Sequence, residues 1–282
     1  MSFRSLNDIL RQSEDFIKPF WRVVLEDDME ERLVSEEESF EKMLQLYLAM
    51  KAGDKAYDDN LKSSSGLVGG DGAKMSQALK EGKVLAGPFI GKVISKALKM
   101  GESNACMKKI VAAPTAGSCG VIPAVLISYE EQYGAPLQRM VEAMFVAAGI
   151  GEVIGARAFL SGASGGCQAE IGSASAMAAG ALAYLNGGDG ESIVHAAAIA
   201  LKNLLGLVCD TVGGLVEVPC VKRNVIGAVN AIASADMAVA GIRSQIPPDE
   251  VIDAMREVGE ALPKTLRETG EGGLAATPTG RE

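Results

Sequence analysis

The chain has no Cys-x-x-Cys pair, only one histidine and one tryptophan among 282 residues, and aromatic residues make up just 5% of it. Without Cys-x-x-Cys, the common zinc-ribbon and ferredoxin spacings are excluded. Basic residues are outnumbered, 27 against 36, for a net charge of −9, and no Lys/Arg stripe stands ready to neutralise phosphates, so nucleic-acid binding is not expected. No segment reaches the ~18 to 20 charge-free apolar residues of a membrane span. The most apolar stretches, 137–159, 168–185 and 191–207, carry Glu152, Arg157, Glu170, His195 and Lys202 and read as buried helices. The first residues, Met1 to Asp8, lack an apolar core preceded by positive charge, so a cytoplasmic location is expected, where cysteines stay reduced. No alternating period-2 segment is long enough for a sheet.

Apolar residues make up 48% of the chain, mostly small or aliphatic, with 33 glycines. Small side chains let helices approach closely, which predicts an all-α, compact bundle of mostly Ala/Gly-rich helices. A single helical domain over 1–282 is expected, with 1–60 a charged helical N-terminal part and 269–282 a Gly/Thr/Pro tail of flexible composition. In the N-terminal part Leu6, Ile9, Leu10, Phe16 and Ile17 recur at helical spacing. Phe40, Met43, Leu44 and Leu48 mark one face of a later helix whose acidic start, Glu36 to Glu38 and Glu41, reads as a solvated face or a docking surface.

Two loops rich in hydroxyl groups interrupt the helical pattern. One is Lys62-Ser63-Ser64-Ser65-Gly66-Leu67-Val68-Gly69-Gly70-Asp71-Gly72-Ala73-Lys74, readable as a linker or as a nest for an anion, with Asp71 and Lys74 as solvated charges. The other, 112–123, leads through Thr115, Gly117 and Ser118 into an apolar helix whose free N–H groups suit an anionic substrate. Of the five cysteines, Cys167, Cys209 and Cys220 lie at helix ends or in Gly/Pro-containing stretches, where thiolates are favoured. Spacing alone favours reading them as small buried hydrophobes over metal ligands. Cys106 and Cys119 have no evident partner, and His195, mid-helix among apolar neighbours, reads as a packed structural histidine.

Four segments carry more information together: Ser63 to Leu67, Ala113 to Gly120, Gly165-Gly166-Cys167-Gln168-Ala169-Glu170-Ile171-Gly172, and Cys209 through Gly213-Gly214-Leu215-Val216-Glu217-Val218-Pro219 to Cys220. In that order they resemble the iron–sulfur-dependent bacterial L-serine dehydratases, specifically the alpha chain of the two-subunit form, over essentially all 282 residues. The resemblance implies a [4Fe-4S] cluster held by Cys167, Cys209 and Cys220 that leaves one iron without a protein ligand, with the Gly/Ser loops converging on it. It also implies elimination of water from L-serine to give pyruvate and ammonia, in amino-acid catabolism and gluconeogenesis. Substrate donors are then expected at Ser63, Ser64, Ser65, Gly66, Thr115, Gly117 and Ser118. A beta subunit is expected as partner in a hetero-oligomer, supplying the general base that this chain does not identify. Two other readings remain open on the residues: a pyridoxal-phosphate dehydratase with Lys62 or Lys74 as Schiff base, which requires strands before the glycine loops, and a non-catalytic iron–sulfur or zinc-stabilised helical subunit with Cys119 as fourth ligand.

Overall fold

The computed structural model describes residues 3–282. Among them are twelve α-helices and no strand: α1 (Leu6–Asp15), α2 (Phe20–Arg32), α3 (Glu36–Lys55), α4 (Asp71–Lys80), α5 (Gly87–Ala105), α6 (Val121–Tyr133), α7 (Leu137–Arg157), the single turn α8 (Gly162–Gly165), α9 (Ser173–Leu185), α10 (Gly190–Lys202), α11 (Cys220–Val239) and α12 (Pro248–Ala261). The all-α expectation is met, and the strands that a pyridoxal-phosphate dehydratase reading requires are absent among the described residues.

Local sequence accounts for most helix boundaries. Ser5 and Asp189 accept the N–H groups of Asp8 and Ser192, capping α1 and α10. Ser35 and Glu38 form a reciprocal capping box that starts α3. Gly134 ends α6 at φ 65°, a left-handed conformation that costs glycine nothing. The three acidic residues in the first turn of α3 complement its dipole.

Helix α9 is the axis of the bundle, packed against α6, α7, α10 and α11, and all its residues but Tyr184 are buried. Its sequence, SASAMAAGALAYL, explains how that many neighbours fit. A Cβ on Gly180 would lie 2.2 Å from Ile150 of α7 and 3.4 Å from Ile193 of α10, so any larger residue would push these helices apart. Ile150 is itself fully buried, a gain of about 1.5–3 kcal/mol for such a side chain. Around this axis α2 and α3 cover α7, α4 lies on α5, α5 packs on α6 and α11, and α12 closes over α10.

Several local expectations shift. The serine/glycine stretch ends at Gly70, and Asp71 to Lys74 already belong to α4. Phe16 and Ile17 fall beyond the end of α1 and are exposed, because Ile17 turns left-handed at φ 52°. On α3 Phe40, Met43 and Leu44 pack against the core as their spacing suggests, but the deeply buried positions are Tyr47 and Met50, and Leu48 stays partly exposed. Val23, Val24 and Leu25 of α2 are core residues that the acidic composition of this region conceals. The tail folds as two short turns, 273–276 and 279–281, against the turn 212–214, with the Leu274 N–H donating to Asp210 at 2.9 Å.

Candidate active site

Cys167, Cys209 and Cys220 come from three different places in the chain. Cys167 follows α8 and immediately precedes a single π-helical turn, Gln168–Gly172, an element that recurs at functional sites. Cys209 sits in the stretch after α10, where its N–H donates to Leu266 O at 2.9 Å and its carbonyl accepts the Glu268 N–H at 2.8 Å. Cys220 is the first residue of α11. All three are free and buried, at 2%, 1% and 5% exposure, so the small-buried-hydrophobe description holds for each alone. Yet they also converge: Cys209 feels the charge of Cys167 and Cys220, and Cys220 that of Cys167. Burial pushes Cys167 and Cys220 up to about 12, and it raises Cys209 too. The Arg223 guanidinium opposes the effect at Cys167, since its positive charge favours the thiolate.

The position of Cys209 depends on Gly162: a Cβ there would stand 2.7 Å from the Cys209 sulfur. Gln168 braces the same corner, donating to Gly165 O at 2.9 Å and Met255 O at 3.1 Å and accepting the Gly206 N–H at 2.8 Å. Arg223 on α11 ties the Cys209 stretch down. It pairs with Asp210 at 2.8 Å and donates to Val208 O at 2.8 Å. Asn224, four residues after Cys220, donates to Cys220 O at 3.0 Å and to Gly117 O at 2.8 Å and accepts the Gly120 N–H at 2.8 Å. One amide thereby fixes the second hydroxyl loop to the cysteine-bearing helix.

No three His, Cys, Asp or Glu side chains among the described residues close on a point that a single metal ion could fill. A multi-iron cluster asks for something different, since each thiolate binds its own iron and the sulfurs stand farther apart. Three buried, unpaired cysteines brought together from three segments, with an arginine at their side, fit that requirement. Cys119 does not join them: fully buried, it donates to Met100 O at 3.6 Å. Cys106 lies at the end of α5. His195 accepts the Ser244 N–H at Nδ1 (3.1 Å) and stands 3.2 Å from Glu191, away from the cysteines, and burial lowers its pKa.

Both hydroxyl loops are engaged by carboxylates. Thr115 Oγ1 donates to Glu170 Oε1 at 2.6 Å and lies 3.0 Å from Ser118 Oγ, with Ser118 fully buried. Gly117 packs so closely on Glu170 that a Cβ would fall 2.8–3.1 Å from its carboxylate. Burial raises the Glu170 pKa, the Thr115 hydroxyl opposes the rise, and Glu268 adds to it. In the first loop Ser63 Oγ donates to Glu217 Oε2 at 2.6 Å, and Ser65 donates to the same oxygen. Ser63 is buried, whereas Ser64, Ser65 and Gly66 are exposed. The candidate residues therefore form two groups: Thr115, Gly117 and Ser118 beside Glu170 and the thiols, and Ser63 to Gly66 on Glu217, three positions before Cys220. Lys74 is exposed and paired with Asp71 at 2.8 Å, and Lys62 holds Gly69 O at 2.6 Å.

Glu170, Glu217, Arg223 and Asn224 were not singled out from the sequence. Glu170 and Glu217 nonetheless sit inside the two cysteine motifs, where a charged residue among glycines and apolar neighbours is itself a signal, and Asn224 shares a helix face with Cys220.

Comparison with known proteins places the chain in a family. The family model described as serine dehydratase alpha chain matches residues 17–275. A probable L-serine dehydratase alpha chain of Bacillus subtilis is 47% identical over 280 residues, covering 99% of this chain and 93% of that protein. The L-serine dehydratase alpha chain of Peptoniphilus asaccharolyticus is 43% identical over 261 residues, 92% of this chain and 89% of its own. An L-serine dehydratase of Streptomyces coelicolor is 44% identical over 181 residues, 64% of this chain and 40% of that longer protein. Matched by the family model over residues 17–275 and by two alpha chains along most of their length, the chain belongs to the serine dehydratase alpha chain family.

Proposed function

We propose that this chain is the alpha chain of an L-serine dehydratase, which eliminates water from L-serine to give pyruvate and ammonia. The observation that carries this reading is the convergence of Cys167, Cys209 and Cys220 beside the Thr115–Ser118 loop in a member of that family. These three cysteines are proposed to hold a [4Fe-4S] cluster, which when bound supplies Lewis acidity toward the substrate hydroxyl.

The remaining work falls to the chain's own residues. Elimination removes the proton on the α-carbon and the hydroxide on the β-carbon, leaving aminoacrylate, which tautomerises to an imine that water hydrolyses to pyruvate and ammonia. Thr115, Gly117 and Ser118, with Ser63 to Gly66, are proposed to bind the polar ends of serine and fix the α-proton relative to the leaving group. Glu170 is proposed to hold a proton at this site: its raised pKa and its contact with Thr115 suit a group that gains and loses one. Burial of the thiols keeps water from them. A second chain, as the alpha-chain names of the relatives suggest, is proposed to complete the site in a hetero-oligomer.

The test is anaerobic reconstitution with iron and sulfide, followed by a serine titration under Mössbauer or spin-resonance spectroscopy and a pyruvate assay, with and without the companion chain. A serine-dependent change at one iron and pyruvate release are expected. Iron-free protein with full activity would sink the cluster assignment.

A further inference from the structure

The first hydroxyl loop is an anion nest by composition, but most of the donors around Ser63 and Ser65 are spent. Ser63 Oγ and Ser65 Oγ, 3.2 Å apart, both give their protons to Glu217 Oε2. The Leu67 N–H is taken by Ser65 Oγ at 3.1 Å and the Val68 N–H by Ser63 Oγ at 3.3 Å. The Gly66 N–H goes to Ser63 O and the Ser63 N–H to Val68 O, both at 2.9 Å. A hydroxyl has one proton, so once that proton faces a carboxylate, what it can offer a ligand is a lone pair.

Behind these lone pairs stands a carboxylate that is 6% exposed and whose hydrogen bonds are those two hydroxyls, with no Lys or Arg ion-paired to it among the described residues. A negative charge held in low dielectric and compensated only by dipoles projects its field through them. The outer rim, Ser64 to Gly66, is exposed and so open to a ligand.

We propose that Glu217 makes the serine loop the ammonium end of the substrate pocket, so that it selects an amino acid over the corresponding simple hydroxy acid. This rests on the dehydratase reading above. The substrate carboxylate then falls to the Thr115–Ser118 loop at the start of α6, where the N–H groups of Ala116 and Gly117 have no partner among the described residues, while those of Thr115, Ser118, Cys119 and Gly120 are taken. Glu217 acts through Ser63 and Ser65 and is a positioning residue.

The test compares L-serine with 3-hydroxypropanoate, which keeps the hydroxyl and the carboxylate and lacks only the ammonium. It uses the anaerobically reconstituted protein with its companion chain, as wild type, Glu217→Gln and Glu217→Asp, each checked for folding by thermal melting. Loss of one charge-assisted contact predicts that Glu217→Gln raises the KM for serine about tenfold with kcat little changed, while the inhibition constant of 3-hydroxypropanoate stays the same. Glu217→Asp, which keeps the charge, should retain the preference. A wild-type protein with no preference for serine overturns the proposal. So does a Glu217→Gln variant in which both ligands weaken together, the mark of a purely structural latch, or in which both tighten, the mark of Glu217 competing with the substrate carboxylate. If wild type releases no pyruvate, the dehydratase reading fails. Serine is then not consumed, and equilibrium dialysis of the same two ligands still decides the role of Glu217.

Discussion

Thr115 and Glu170, 55 positions apart, are joined by a 2.6 Å hydrogen bond that fastens the loop before α6 to the π-helical turn after Cys167. The bond needs Gly117, whose missing side chain leaves room for the carboxylate. Close approaches of this kind make the site sensitive to single methyl groups.

The most direct consequence concerns Gly162. Gly162→Ala places a methyl 2.7 Å from the Cys209 sulfur, and that sulfur must move because the Cβ is tied to backbone. Iron and sulfide bound after anaerobic reconstitution should fall well below the wild-type content while the melting temperature drops only slightly. Wild-type stoichiometry in this variant removes Cys209 from the ligand set.

A second expectation separates the cysteines. Cys167→Ala, Cys209→Ala and Cys220→Ala should each abolish stable cluster loading, judged by visible absorbance and iron analysis. Cys119→Ala should not, because its thiol already serves Met100 O. Loss of iron in Cys119→Ala would favour the reading with four ligands.

Arg223 and Asp210, side chains 11% and 6% exposed, form a buried pair. Arg223→Met leaves a carboxylate uncompensated and should cost about 3–5 kcal/mol in urea unfolding. Adding Asp210→Leu should recover part of that loss, although Asp210 also accepts the Leu274 N–H and the tail will loosen. A double variant as unstable as the single one would mean that the pair's charges matter less than its packing.

Glu152 on α7 gives a pH signature. Burial, with Asp27 and Glu31 adding repulsion, raises its pKa to about 7 from an ordinary 4.5. An acid whose folded pKa lies above its unfolded one binds more protons when folded, so the protein loses stability as pH rises from about 4.5 to about 7 and stays less stable above. The group is partly exposed, and solvent screening holds the effect to about 1 kcal/mol. Glu152→Gln should therefore be more stable than wild type at pH 8 and nearly equal at pH 4, measured by denaturant midpoints. A wild-type advantage at pH 8 would contradict the assigned shift.

Much of the molecule was legible from residue order alone. The scarcity of aromatics and abundance of Ala and Gly meant closely packed helices, since small side chains bring backbones together, and α9 is built that way. The helix limits followed from Pro, Gly and capping residues, which act on their immediate neighbours. The glycine–cysteine motifs carried the family resemblance, which the relatives bear out. What the sequence could not decide was partnership. Ser63 and Glu217 stand 154 positions apart, and nothing local says that the hydroxyls of one loop will spend their protons on that carboxylate. Nor does local pattern say that Tyr47 rather than Leu48 turns inward on α3. Periodicity records which residues share a face. Which face is buried, and which buried polar group meets which, is settled only when distant segments pack and every desolvated donor or acceptor must find a partner.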